Sequence, residues 1–301
     1  MRGALCAVIL SLSLEAALFA QIPGAAPAEN GEAPDKAELL MKALSAAYPR
    51  LIGQAVRLDN DWAVTLRGEW FYYTDGKLLP ERLRPQAANY SPQPFYKYPE
   101  KQPAWKKPSP EEAERLAQAA KNRQNGGAAN RSIIFFDTLW NIHNRDEAWN
   151  QVKTIKFLGK SIMVHHAILE PVALVEQRIN AAARRDAVVA AWLKQIHTVS
   201  AWNWRNIADV KTRSNHAYGT AIDILPKKPN GETYWLWTAK KKAAWWNVPY
   251  SQRVQPTEAV IKIFEDYGFI WGGKWAFYDT MHFEYRPEIL LLNGIPIEGS
   301  Y

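Results

Sequence analysis

Asp223 sits in the run TAIDIL, between two isoleucines. A carboxylate in that setting is costly unless it is ion-paired, hydrogen-bonded or bound to a metal. The run has strand character, and in a strand alternate side chains share a face. Ile222 and Ile224 then point to a core, and Ala221 and Asp223 point the other way. Seven residues upstream lies His216, in the turn-like stretch SNHAYG. Fully extended, that separation spans about 23 Å. The two meet only if the chain doubles back, and Gly219 is the residue that permits such a turn.

A second polar stretch, YDTMHFEYRPE, runs from Tyr278 to Glu288. Asp279 and His282 are three apart, which puts them on one side of a turn or half-helix. His282 and Glu284 share a strand face, with Phe283 and Tyr285 opposite. Within these two segments, His216 and His282 are two of the chain's six histidines, and Asp223, Asp279 and Glu284 add three carboxylates at matching positions. Zinc enzymes commonly take three ligands from His, Asp and Glu and leave a fourth position open. Each piece alone also has a bland reading. His216 could be a hydrogen-bonded histidine, Asp223 an ion-pair partner, and DTMH a helix cap.

Composition narrows the class without choosing it. Hydrophobic residues make up 48% of the 301 residues, enough for a packed core. The net charge of +7 suits an anionic partner: nucleic acid, anionic lipid or cell wall. Fourteen tryptophans fit either a core or a carbohydrate or peptide cleft. The N-terminus has the layout of an export signal over 1–20, with Arg2, an apolar run from Ala4 to Leu14 and a small residue at Ala20. That run is short for a membrane span, which needs ~20 residues. The single cysteine, Cys6, falls inside it, so a cleaved product has no thiol and no cysteine chemistry.

Residues 21–38 are rich in Ala, Pro, Gly and Glu and read as a flexible tether. A short amphipathic helix should follow, then a hairpin turning at Asp75-Gly76. The proline-rich stretch 80–110 reads as extended or looping surface. Ser109, Pro110 and Glu112 form a helix start with a capping box, and that helix should die out near Gly126-Gly127. Over 168–198, Val172, Val175 and Ile179, then Val188, Trp192 and Ile196, mark the inner stripe of one or two helices. Thr257 should cap a helix that Gly268 stops. Short strands mixed with helices, without βαβ alternation, indicate an α+β fold. The lysines and tryptophans of KKPNGETYWLWTAKKKAAWW resemble a nucleic-acid surface. The stretch lies between the two polar blocks, however, so a loop beside a cleft, or a lysine face over buried Trp, is preferred. His143, His165, His166 and His197 match no metal spacing.

SNHAYGTAID matches the Ser-x-His-x-x-Gly-x-x-x-Asp signature of the zinc D-alanyl-D-alanine carboxypeptidases, a family that includes L-alanyl-D-glutamate endolysins. FEDYGFIWGGKWAFYDTMHFE resembles the family's second block, with Gly-Gly-Lys-Trp followed by Asp-x-x-His-x-Glu, in the family order. WNWRNI is similar to the arginine-bearing segment. The resemblance covers about 165–290. It implies a small antiparallel sheet carrying a zinc site and flanked by helices, the arrangement shared by hedgehog and DD-peptidase domains. It also implies that His216, Asp223 and His282 bind Zn2+, that Asp279 is the catalytic base and that Arg205 holds the substrate. Ser214 and Glu284 fall at motif positions read as support. The implied domains are a peptidase unit over 161–295 and a region of unassigned role over 39–160 that packs on it. The implied activity is hydrolysis of peptidoglycan stem peptides by a secreted or periplasmic metallopeptidase, with no nucleic-acid partner and no membrane span after signal cleavage. The competing expectation is a cell-wall-binding protein whose zinc is structural.

Overall fold

A computed structural model describes residues 35–124, 130–207 and 212–298. The expected export signal and most of the tether lie outside these residues. Asp35 accepts a hydrogen bond from Ala37 N (3.1 Å) and starts the helix Lys36–Ala47, which buries Leu40, Met41, Leu44 and Ala47 along one face. A four-stranded antiparallel meander follows: β1 (Val56–Leu58), β2 (Asp61–Leu66), β3 (Glu69–Thr74) and β4 (Lys77–Pro80). Its three turns, Asp59-Asn60, Arg67-Gly68 and Asp75-Gly76, each place two successive residues at positive φ. That is the turn whose twist matches paired strands. A fourth, Leu158-Gly159, joins β5 (Val152–Phe157) to β6 (Lys160–His165).

The proline-rich stretch is more structured than its composition indicates. Residues Glu81–Asn89 form 3-10 turns, and the chain then runs on as a strap. Tyr98 in the strap is buried: its hydroxyl donates to Glu265 Oε1 (2.5 Å) and accepts from Trp271 N (2.8 Å). Lys274 Nζ donates to the carbonyls of Pro99 (3.0 Å) and Glu100 (2.8 Å). Prolines remove backbone donors here, and the side chains of Tyr98, Glu265 and Lys274 add anchoring to the few backbone bonds that remain. Downstream, the reciprocal bonds of Ser109 and Glu112 open the helix Pro110–Gln124.

Two helices, Leu169–Ala183 and Ala187–Gln195, occupy the expected helical region. The second follows the expected stripe only in part: Trp192 and Ile196 pack against the core, but Val188 does not. Asp186 caps it, Val189 turns inward, and Val188 is 65% exposed. The helix stops at Gln195, so Ile196 begins a strand rather than a further turn. That strand, β7 (Ile196–Ser200), joins β8 (Ala221–Pro226), β9 (Phe269–Trp271) and β10 (His282–Tyr285) in an antiparallel sheet of order β7-β8-β10-β9. The helix Glu258–Asp266, capped by Thr257, packs behind it and stacks Phe264 on Phe283 with ring centroids 3.8 Å apart. One continuous cluster of buried side chains runs from Leu40 through Phe71, Phe135 and Val175 to Phe283 and Leu291. The meander, the hairpin and the last sheet therefore share a core within a mixed α+β fold.

Candidate metal centre

The register of β8 against β10 sets His282 directly opposite Asp223, and Phe283 opposite Ile222. The apolar partners face the core. Asp223 and His282 share the other face. His216 reaches the same place from the one-turn helix Asn215–Tyr218, whose N-cap, Ser214, accepts from His216 N (3.3 Å). Gly219 ends that turn at φ 72°. A Cβ there would come within 2.8 Å of His165 N, so the reversal needs glycine.

The three side chains converge. His216 Nε2 lies 3.2 Å from Asp223 Oδ1 and 3.2 Å from His282 Nδ1, and His282 Nδ1 lies 3.0 Å from Asp223 Oδ1. Their outer atoms assign the tautomers. His216 Nδ1 donates to Ala201 O (2.6 Å), and His282 Nε2 donates to Glu284 Oε2 (3.1 Å). Both inner nitrogens are then bare lone pairs, facing each other and a carboxylate oxygen. Such a trio repels itself unless a cation sits within it. Two imidazole nitrogens and one carboxylate oxygen also form a donor set that suits Zn2+. The residues present fit the metal.

The electrostatics agree. Burial raises the Asp223 carboxyl, but His216 and His282 outweigh it and hold the group well below the usual carboxylate range. Burial lowers His282, but Asp223 and Glu284 outweigh it and hold the imidazole well above its usual value.

Behind His282 the polar chain continues. Glu284 accepts from Asn215 Nδ2 (2.6 Å), and Arg286 Nη1 stands 3.6 Å from Glu284 Oε1. Arg286 also donates from Nε to Glu288, and Glu288 Oε2 accepts from the Tyr48 hydroxyl (2.7 Å). Glu284, Arg286 and Glu288 are all buried.

Asp279 precedes β10 in a turn whose backbone bridges to Tyr234 and donates to Gly272 O (3.0 Å). A Cβ on Gly272 would come 2.5 Å from Asp279 O, so glycine is required for that approach. Burial pushes the Asp279 carboxyl up to about 7; His282 and Arg205 act against this, and Asp223 adds to it. Its Oδ1 is buried with no hydrogen-bond partner among the described residues. Arg205 lies on an exposed segment. Its carbonyl accepts from Ser214 N (3.2 Å), while its guanidinium reaches Asn206 O (3.5 Å) rather than any of the three converging side chains.

Three participants carry no role that the sequence motifs name. The Ala201 carbonyl carries no side-chain signature. Asn215 occupies an unspecified motif position. The Trp275 ring, 5.5 Å from that of His282, lies in the Gly-Gly-Lys-Trp run, which was the available signal.

Residues 208–285, which contain all three converging side chains and Asp279, match the model of a family described as D-alanyl-D-alanine carboxypeptidase. This segment resembles that peptidase family. The match supports a zinc metallopeptidase in general and covers only part of the chain. Residues 40–95 match the model of a domain of unknown function. The chain matches no curated protein and no solved structure. Among the described residues no helix is long and apolar enough to cross a membrane.

Proposed function

We propose that the protein is a zinc-dependent peptidase that hydrolyses peptide bonds in peptidoglycan stem peptides, on a sheet of the hedgehog and DD-peptidase kind. The observation that carries this reading is the convergence of His216 Nε2, His282 Nδ1 and Asp223 Oδ1 near Asp279, a carboxyl with one buried oxygen left without a hydrogen-bond partner and pushed up to about 7. Zn2+ held by these three residues would supply Lewis-acid activation of water and of the scissile carbonyl.

The chain's own groups do the rest. Asp279 accepts a proton from the attacking water as the C–O bond forms. It returns that proton to the nitrogen as the C–N bond breaks, leaving a carboxylate and an amine. A pKa near neutrality suits a group that must both take and give a proton. Arg205, exposed at the edge, holds a carboxylate or carbonyl of the substrate. Ser214 and Glu284 keep His216 and His282 in place. The net charge of +7 favours an anionic wall, in keeping with secretion or a periplasmic location.

The alternative is a wall-binding protein with a structural zinc. Structural sites are closed by four protein ligands. Here the potential fourth ligand, Glu284, is turned to the outer nitrogen of His282, which favours the enzyme. The deciding experiment digests purified peptidoglycan and a free pentapeptide stem with and without chelator, read by mass spectrometry. Chelator-sensitive release of terminal D-alanine identifies a carboxypeptidase, and an internal cut identifies an endopeptidase. Zinc-loaded, folded protein that cuts neither returns the reading to the binding module.

A further inference from the structure

Of the large apolar side chains that the fold leaves exposed among the described residues, two are tryptophans: Trp149 at 59% and Trp237 at 47%. Single exposed apolar residues are ordinary. The attachment of these two is not. Trp149, on the helix Arg145–Gln151, packs edge-on to Trp202 with ring centroids 5.5 Å apart. Trp202 Nε1 donates to Ala217 O (3.1 Å), and the neighbouring Ala201 O receives His216 Nδ1. Trp237, on the helix Trp235–Ala239, packs edge-on to Tyr234 at 5.6 Å, and Tyr234 is the backbone bridge partner of Asp279. One exposed indole is thus fastened to the His216 segment and the other to the Asp279 segment.

We propose that Trp149 and Trp237 are stacking platforms for the glycan strand that carries the stem peptide, so that the substrate is polymeric peptidoglycan rather than a released peptide. This rests on the peptidase reading above. Each indole is braced by a second aromatic ring, so it offers a flat face with little side-chain entropy left to lose. A pyranose ring presents a matching face of C–H groups with hydroxyls at its rim, which suits an amphipathic aromatic. The exposed Lys240 and Lys241 follow Trp237 closely in sequence and complement the carboxylates that such a strand carries.

The test uses chelator-treated full-length protein, so that binding is read without turnover. The probes are insoluble peptidoglycan in co-sedimentation and a β-1,4-linked N-acetylglucosamine hexamer in titration calorimetry. Trp149→Ala and Trp237→Ala should each weaken both about 5–50-fold, the scale of one lost stacking contact. Trp→Phe at either position should recover part of the loss. Val188→Ala, which alters an exposed apolar residue outside the proposed platforms, should bind as the wild type does. With zinc restored, kcat/KM on the polymer should fall more than kcat/KM on a free pentapeptide in the double variant. Equal binding by wild type and double variant overturns the proposal, as does equal loss on polymer and free stem. Failure to cleave either substrate would defeat the peptidase reading, while the binding measurements would still decide the platforms.

Discussion

Asp223 and Asp279 are the same residue type and both feel the charge of His282, yet the fold pushes their carboxyls in opposite directions. Asp223 lies on β8 with two imidazole nitrogens within 3.2 Å, and these hold it ionised. Asp279 stands in the turn before β10 with a bare oxygen, and burial pushes it up to about 7. Environment alone separates a permanent anion, suited to hold a cation, from a carboxyl suited to exchange a proton. A pair of groups pushed in opposite directions supports the division of roles proposed for them.

The largest expected effect breaks the first half of the contrast. Asp223→Asn keeps the shape and removes the charge. Zinc affinity, measured by competition with a chromophoric chelator, should drop by more than the 10–100-fold typical of a lost outer partner, and activity should vanish with it. Retained affinity would mean that Asp223 is not a ligand. Asp279→Ala breaks the second half. It should keep zinc while turnover falls about 10²–10⁴-fold; full turnover by zinc-loaded protein would remove Asp279 from the reaction.

Glu284→Ala sharpens the comparison by loosening His282 without touching either aspartate. Zinc affinity should fall about 10–100-fold, measured in the same competition assay, and an unchanged value would leave Glu284 with no part in holding the metal. The last effect is thermodynamic. Asp279 has a folded pKa of about 7 against about 3.9 when unfolded. The native state then holds the extra proton, so the Asp279 contribution to stability declines as pH rises from about 4 to about 7. Asp223 has the opposite sign: its contribution is present above about pH 4 and is lost in acid. Urea denaturation of chelated protein across this range should show a decline that Asp279→Asn reduces. Parallel curves would contradict the account of its burial.

Much of the sheet was legible because alternation is a local signal. TAIDIL and MHFEYR form β8 and β10 with the expected faces, and Ser109 and Thr257 cap the helices that follow them. Of the four tight turns, only Asp75-Gly76 was read. Arg67-Gly68 and Leu158-Gly159 lack the usual Asn or Asp at the first position, and Asp59-Asn60 lacks the glycine. The strap over 90–100 was missed for a different reason. Its anchors, Glu265, Trp271 and Lys274, lie far along the chain, and no periodicity encodes a pairing over that separation. At the site, spacing alone left bland readings open, and it was the resemblance of the two blocks to the peptidase family that singled out the converging trio. Neither could supply the Ala201 carbonyl, since a backbone acceptor belongs to every residue alike.

The chain of buried charges behind His282 bears on portability. It ends at Tyr48, 240 residues from its partner Glu288 and outside the segment that matches the peptidase family. A transplant of 208–285 into another scaffold would carry every converging side chain but leave behind Arg286, Glu288 and Tyr48. Glu284 would then face its new host without the guanidinium that now stands beside it. The piece that could be moved as a unit is defined by where the buried charge is finally balanced, and that boundary reaches back to the helix Lys36–Ala47 and the tyrosine that ends it.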